Sequence, residues 1–315
     1  MTVFHSEEWM RVLEETYGFK RMCLKSTRGG RLPLMEASGL RGKRGVSLPF
    51  TDHCAPEVTS SEEFQDLWKE ALETGRRRNW KYVEVRGGRE WLPEAPASLR
   101  FYSHFLDLKG GEEALFEGFE GPVRRAIRKA EKAGLKAEKT DDLEGMRTYY
   151  RLHCGTRKKH GLPPQPWAFF LNIHKHLMSK GLGVLVLARS NQIAVAGAVF
   201  FYGKQAIYKF GASDASQQQA RGNNLVMWEG IRWLAAQGCE QLDFGRTSLE
   251  NEGLRRFKAG WGAREGLIEY VKYDVRGARF MVDKDHASGW HNQFFSRMPM
   301  ALLRVAGAVL YRQMT

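Results

Sequence analysis

The stretch DFGRTSLENEGLRRFKAGWGA, residues 243–263, gathers several groups able to do chemistry. An apolar strand end (Leu242, Asp243, Phe244) runs into Gly245 and Arg246. After a polar loop, Arg255, Arg256 and Lys258 surround Phe257. A carboxylate at a strand end can serve as a general base, and Asp243 is a candidate beside Asp52 and His53 of SLPFTDHCAP. Guanidinium forks match phosphate oxygens, so Arg246, Arg255 and Arg256 read as ligands for a phosphate-bearing substrate. A basic surface helix with Phe257 in the core is the plainer reading of the same residues.

Two further segments carry binding chemistry. TRKKHGLPPQPW (156–167) places Arg157, Lys158 and His160 before a stiff Pro-rich turn, and proline lowers the entropy lost in presenting a rigid loop. GASDASQQQARGNNLVMWEG leaves a strand, crosses a polar loop and enters an apolar helix. The amides at such a helix start can hold a phosphate, which singles out Gln219, Arg221, Gly222 and Asn224. Arg124, Arg128 and Lys132 form one stripe of a third helix, a phosphate grip or a solvated face. Phosphate-loop, dinucleotide, nucleophile-elbow and zinc-protease motifs do not occur. His153 and His160 are seven apart, and His174 and His176 do not share a helix face, so no metal site is expected.

The elements that must position these groups alternate in type. Helices are expected over SEEWMRVLEETYG, SSEEFQDLWKEALETG, GPVRRAIRKAEKAG, DLEGMRTYYRLHCGTRKKHG, PPQPWAFFLNIHKHLMSKG and NNLVMWEGIRWLAAQG. Strands are expected at KRMCLKS, RLPLMEAS, KYVEVRGG, LRFYSHFLDLKG, CEQLDFGRT and in a three-strand meander from Leu182 to Ser213. A weak internal echo pairs LWKEALETGRRRNWKYVEVRG with MWEGIRWLAAQGCEQLDFGR, each a Trp-bearing helix followed by a strand with a carboxylate. The chain has 315 residues, 43% of them hydrophobic, and a net charge of +13. That composition excludes a largely disordered chain and points to an anionic partner: nucleic acid, a phosphorylated substrate or acidic lipid. Four scattered cysteines form no CxxC pair, a reduced pattern expected of the cytoplasm. The N-terminus lacks the features of a signal peptide. In the tail, Arg297, Arg304 and Arg312 would make one basic stripe on an apolar helix. Residues 290–315 therefore read either as an interfacial helix on acidic lipid or as a helix packed on the protein.

The loop around Gln219 and Gly222 resembles the [RQ]xxGx[GA] signature of the GCN5-related N-acetyltransferase (GNAT) superfamily, with Asn224 in place of the small residue. Asp243-Phe244-Gly245, followed by Gly253, Phe257, Lys258 and Gly260, resembles the C-terminal signature of the FemABX family. GASD, WEGIRW and TRKKHGLPPQP are similar to a branch of that family associated with exosortase and exopolysaccharide gene clusters, described as an acyltransferase (BioF2-like) type. The resemblance implies an α/β (α+β) fold of two tandem GNAT domains, with mixed, mostly antiparallel sheets flanked by helices. The expected limits are 1–140 and 141–275, with a tail at 276–315. It implies an acyl or aminoacyl transfer that forms an amide on an amine of a cell-wall or exopolysaccharide precursor at the cytoplasmic membrane face. The donor would be aminoacyl-tRNA or acyl-CoA as co-substrate, with no tightly bound cofactor. It also implies that Lys258 stands at the reaction centre and that the Phe257 carbonyl holds the attacking amine. A fixed ammonium beside a developing oxyanion stabilises the transition state more than the ground state. The rivals are an acyl-CoA-dependent N-acyltransferase of the same fold, and a non-catalytic basic module binding RNA or polysaccharide-assembly partners.

Overall fold

In a computed structural model, residues 2–40, 42–283, 285 and 291–314 are described. Among the described residues one sheet has thirteen strands; Thr247–Ser248 and Arg279–Phe280 pair off its side, and the other eleven follow one path. Their order is Lys20–Arg21, Met35–Gly39, Gly42–Val46, Trp80–Arg86, Arg264–Asp274, Leu99–Asp107, Gln241–Asp243, Ala206–Ser213, Ile193–Phe201, Gly183–Ser190 and Lys136–Thr140. Neighbours are antiparallel except in two places: Gly42–Val46 beside Trp80–Arg86, and Ala206–Ser213 beside Gln241–Asp243. Each parallel pair is closed by a helix, Ser61–Arg78 in the first half and Gly222–Ala236 in the second. These are the two segments of the sequence echo, so the echo is a repeated unit of helix and parallel strand.

Local chemistry sets the helix limits. Ser60 accepts a hydrogen bond from the Glu63 amide, Glu62 and Glu63 occupy the first turn, and three arginines fill the last turn against the helix dipole. Ser6, Asp142 and Asn251 cap the helices Glu7–Tyr17, Leu143–Lys159 and Glu252–Ala259 in the same way. The meander turns at Asn191 and Gln192, both with positive φ. The tail departs from the expected single stripe. Pro299 interrupts it, giving helices His291–Arg297 and Met300–Leu310 and a final 3-10 turn Tyr311–Gln313. Arg297, Arg304 and Arg312 therefore lie on three separate elements.

The layers interleave the two ends of the chain. On one face of the second-half sheet, Leu143–Lys159 and Trp167–His176 pack with the N-terminal helix Glu7–Tyr17. Their shared core contains Trp9, Leu13, Tyr149, Phe169, Phe170 and Tyr311. The opposite face is covered by Gly121–Lys132 and Gly222–Ala236 around Ile127, Phe200, Trp228 and Trp261. Gly121–Lys132 precedes residue 141, yet it buries Val123, Ile127 and Ala130 in that second-half core. Conversely Arg264–Asp274, late in the chain, pairs with Trp80–Arg86 and Leu99–Asp107 and joins the two half-sheets.

Gly230 lets the helix Gly222–Ala236 lie on the sheet. A Cβ there would stand 2.3 Å from the ring of Phe200, which is fully buried. Alanine would add roughly 1 kcal/mol of helix propensity. Overpacking against a ring with no room to retreat costs about 1–3 kcal/mol, at the upper end here. Gly230→Ala is therefore expected to lower the denaturant midpoint, with a net loss of about 1–2 kcal/mol in equilibrium unfolding.

Candidate active site

The second parallel pair holds together for only two residues, Ala206↔Leu242 and Ile207↔Asp243. Beyond it Ala206–Ser213 continues, while the other chain turns away through Gly245 to pair Thr247 and Ser248 with Tyr102 and Phe101. The opening is a wedge lined by backbone that has lost its sheet partner, and charged side chains occupy it. Asp243 closes its narrow end and accepts the Gly245 amide at 2.7 Å. Lys209 enters from one side, and its Nζ lies 3.2 Å from Asp52 Oδ2. Arg246 enters from the other side, with Nε 3.7 Å from Asp52 Oδ1. Asp52 itself comes from the first half, and its carbonyl accepts the Tyr270 hydroxyl at 2.6 Å. Gly245 is required here twice over. Its φ is +72°, and a Cβ would press on Asp52 Oδ2 at 2.9 Å.

Lys258 rises into this wedge from the capped helix Glu252–Ala259 and is only 2% exposed. Its Nζ donates to the Gly245 carbonyl at 2.7 Å and the Arg246 carbonyl at 3.1 Å. An ammonium has three protons, so one N–H remains after these two bonds. Burial pulls the Lys258 pKa down to about 8, against the attraction of Asp52 and Asp243. Burial pushes Asp243 up to about 6, against the Gly245 amide and the Lys258 charge. Burial also works against the Asp52 carboxylate, yet Lys209 and Arg246 hold its pKa below the ordinary value. Lys209 falls below a normal lysine through burial, with Asp52 opposing. At neutral pH three cations thus face two carboxylates in a low-dielectric wedge, an excess of one positive charge.

The other expected residues fall into groups. Phe257 packs beside the second core, edge-on to Trp261 at 6.2 Å. Arg255 grips Glu265 through two bonds of 2.6 and 2.7 Å and covers the Tyr102 ring, while Arg256 is exposed. Gln219, Arg221, Gly222 and Asn224 sit together where the 3-10 turn Ala215–Ala220 meets the helix Gly222–Ala236. A Cβ on Gly222 would stand 3.0 Å from Ala196 Cβ, so that helix start is pressed onto the sheet. Arg157 is bound within the fold, donating to the Pro163 carbonyl at 3.3 Å and the Tyr311 hydroxyl at 2.8 Å. Lys158 and His160 lie beside it at the helix end. His53 turns away from the wedge to pack on Gly87. The structure thus brings Lys258, Asp243, Arg246 and Asp52 together and leaves Arg157, Lys158 and His160 on another element.

Sequence reasoning passed over three members of the site. Lys209 is the single charge in AIYKFG, between two aromatics, and its ammonium also faces the rings of Phe4 and Phe210. His104, fully buried in FYSHFLDL, has Nε2 3.3 Å from Glu265 Oε2 without the alignment of a hydrogen bond. Burial and the Lys258 charge depress its pKa, against Glu265. Tyr270 receives the Arg246 guanidinium on its hydroxyl at 2.9 Å. Lys209 is the one charge of its strand and His104 the one basic group in FYSHFLDL, and such a group among apolar neighbours is the signal for those two; Tyr270, in the charge-rich strand REGLIEYVKYD, carries no such signal.

The charged surface continues from the wedge along one sheet face. Side chains two apart on a strand share a face, so Tyr270 and Lys272 align, as do Tyr82, Glu84 and Arg86. Arg86 pairs with Glu84 at 2.9 Å and stacks on Tyr270, and Lys272 lies 3.7 Å from Glu84 and 4.0 Å over Tyr82. Beyond them Arg44, Lys81, Tyr82, Lys272, Asp274, Arg276 and Met281 line a hollow of about 510 Å³, with four basic side chains to one carboxylate.

Residues 120–265 match the family model of the acetyltransferase (GNAT) domain. That span holds the wedge strands and Lys258 but not Asp52. The fold is similar to the crystal structure of FemX (TM-score 0.68, 15% identity, 84% of this chain and 90% of that one). It is also similar to L-PGS from Bacillus licheniformis (TM-score 0.55, 13% identity, 86% and 92%). A third likeness is to a tandem GNAT protein from the clavulanic acid biosynthesis pathway (TM-score 0.50, 11% identity, 80% and 81%). No curated protein matches by sequence. The solved structures establish a GNAT-like fold for the chain, and the family model places a GNAT-type acetyltransferase domain in it; the chain is an acyltransferase.

Proposed function

We propose that the chain transfers an aminoacyl or acyl group from an activated ester or thioester to an amine on a phosphate-bearing cell-wall or exopolysaccharide precursor. The observation that carries this reading is the buried Lys258 ammonium, fixed by two carbonyls with one N–H to spare. In the transfer, the amine nitrogen bonds to the carbonyl carbon and charge develops on its oxygen. The spare N–H of Lys258 meets that oxyanion, with no reorganisation needed at the moment of reaction. Collapse breaks the bond to the leaving oxygen or sulfur. The amine proton passes to the Asp243 carboxylate and returns to the leaving group, so the balance closes. A carboxyl with a pKa near 6 is suited to both halves of that exchange at neutral pH. The acceptor's phosphates fit the basic hollow at Arg44, Lys81, Lys272 and Arg276, which shares its sheet face with Tyr270 of the wedge.

FemX and L-PGS, both similar in fold, favour an aminoacyl donor. Asn224, in place of a small residue in the helix-start loop, crowds the approach of a coenzyme A pyrophosphate. Radiolabelled aminoacyl-tRNA and acetyl-CoA, each offered with the same amine acceptors, decide between donors. Label from the tRNA is expected in the product, and label from acetyl-CoA alone would make this a CoA-dependent N-acyltransferase.

Lys258→Met should reduce kcat/KM by roughly 10²–10³, the usual effect of losing one oxyanion donor. Its folded state should survive. The depressed pKa means the charged lysine is disfavoured by the fold on the order of 3 kcal/mol. An apolar chain of similar length sheds that penalty and loses two hydrogen bonds, so stability at pH 7 should change by less than about 2 kcal/mol. Unchanged transfer by a folded Lys258→Met protein would remove the assigned role.

The pH dependence of kcat/KM should be bell-shaped. Activity falls below about 6 as Asp243 takes up its proton and ceases to be a base. It falls above about 8 as Lys258 loses the charge that meets the oxyanion. Asp243→Asn should lower the rate, abolish the acid limb and move the alkaline limb to lower pH, since the Asp243 charge helps keep Lys258 protonated. An acid limb that persists in that variant would assign the base elsewhere.

A further inference from the structure

The helix Met300–Leu310 has one buried stripe, formed by Leu303 and Gly307, and Tyr311 follows it into the core. It sits close to the Pro-rich loop, since a Cβ on Gly307 would stand 2.0 Å from the Pro164 carbonyl. Its outward side is also apolar. Leu302 is 58% exposed and Val305 and Val309 are each 62% exposed, with Ala301 and Ala308 between them. Arg304 is the only charged residue in the helix. A surface helix normally turns polar residues outward, and one that is apolar all round is covered by something. At 11 residues it is too short to cross a bilayer, and among the described residues no helix is long and apolar enough to do so.

The chemistry beside the helix identifies the cover. A shallow hollow of about 270 Å³ adjoins it, lined by Glu144, Arg147, Tyr150, Arg151, Trp167 and Arg304. Arg147 lies 5.2 Å over the half-buried Trp167 ring, and Arg304 lies 5.4 Å over Tyr150. The two aromatics stand 5.2 Å apart. Glu144 is already matched to Arg151 at 3.6 Å, so the hollow keeps an excess of positive charge. Apolar side chains, then Trp and Tyr, then arginines is the order of groups met on passing from acyl chains through the interface to anionic headgroups. A second copy fits this face less well, since a two-fold pairing would set the same basic rim against itself.

We propose that the outward face of Met300–Leu310, with the hollow between Arg147, Trp167 and Arg304, docks the protein onto an anionic phospholipid bilayer. Leu302, Val305 and Val309 enter the acyl boundary, and the arginines hold phosphodiester headgroups. The surface is tied to the catalytic wedge. Tyr311 ends this helix and packs on Phe50 at 5.7 Å, two residues before Asp52 in the same loop. This inference rests on the helix and the hollow and does not depend on the transfer reaction proposed above.

The test is co-sedimentation of the full chain with vesicles of phosphatidylcholine alone or an equimolar mixture with phosphatidylglycerol, with neither donor nor acceptor present. Binding to the mixed vesicles, weakened by salt, is expected, with little binding to phosphatidylcholine alone. Val305→Asp with Val309→Asp should lower the mixed-vesicle partition coefficient at least about tenfold. Arg147→Ala with Arg304→Ala should lower it by about fivefold per arginine. Both pairs are on the surface, and matching thermal melts would show that folding is intact. A wild-type chain that stays in the supernatant with either vesicle overturns the proposal. So does binding that ignores Val305→Asp/Val309→Asp. So does a wild-type dimer that this double variant converts to monomer without any vesicle binding, because the cover is then a second copy. Transfer to a soluble acceptor, assayed separately, is expected to be normal in the double variant, so failure of docking and failure of the transfer reading are distinguishable.

Discussion

Two residues of parallel pairing, and no more, are what the active-site geometry depends on. Had Gln241–Asp243 stayed in register with Ala206–Ser213, its amides and carbonyls would have been spent on the ladder. Because the strands part after Asp243, the Gly245 and Arg246 carbonyls are left without sheet partners, and buried carbonyls need donors. Lys258 supplies them. The same opening admits Asp52 from a distant loop, and Asp52 in turn makes the burial of Lys209 and Arg246 tolerable. Strand divergence, lysine position and charge cluster form one linked arrangement.

That arrangement is costly to the fold. The charged forms of Lys258 and Asp243 are each disfavoured on the order of 3 kcal/mol by their surroundings. Buried ion pairs are often no better for stability than well-packed apolar residues of the same volume. A wedge built only to hold two half-sheets together could therefore be filled with leucine and valine, as the cores on either side are. Carboxyl and ammonium groups whose pKa values bracket neutrality, with one N–H uncommitted, are better explained by a reaction that needs them than by stability.

Much of this was legible in the sequence, and what was not has identifiable causes. Periodicity and caps gave the helices and the meander, since Ser60, Asp142 and the Pro- and Gly-bounded segments act locally. The strand Arg264–Asp274 was missed because it serves two partners. Its first part lines one half of the sheet and its last part the other, so its burial follows no simple alternation. Lys258, Asp243 and Arg246 could be singled out because they fall in one short segment. Asp52 was named only as a candidate base, and Lys209 not at all, because their meeting is made by tertiary contact over 157 positions. Arg157 looked like a ligand by its company of lysines. Its forked donors are instead committed to the Pro163 carbonyl and the Tyr311 hydroxyl, which no local pattern reveals.

The interleaving of the chain explains why a match restricted to residues 120–265 describes a domain but not a complete site. The first half sends Asp52 into the second half's wedge and packs Trp9 and Leu13 under the second half's helices. The second half returns Arg264–Asp274 to the first, where Lys272 balances Glu84. The echoed units meet similar ends: Glu84 and Asp243 each stand on the later strand of a parallel pair. They differ in what answers them. Glu84 is held by Arg86 at 2.9 Å, a guanidinium that stays charged at any working pH, so that pair is locked. Asp243 shares its wedge with a lysine whose proton can leave near neutrality. Of the two repeated units, one carries a fixed charge pair along a basic lane, and the other carries the titratable pair on which chemistry can turn.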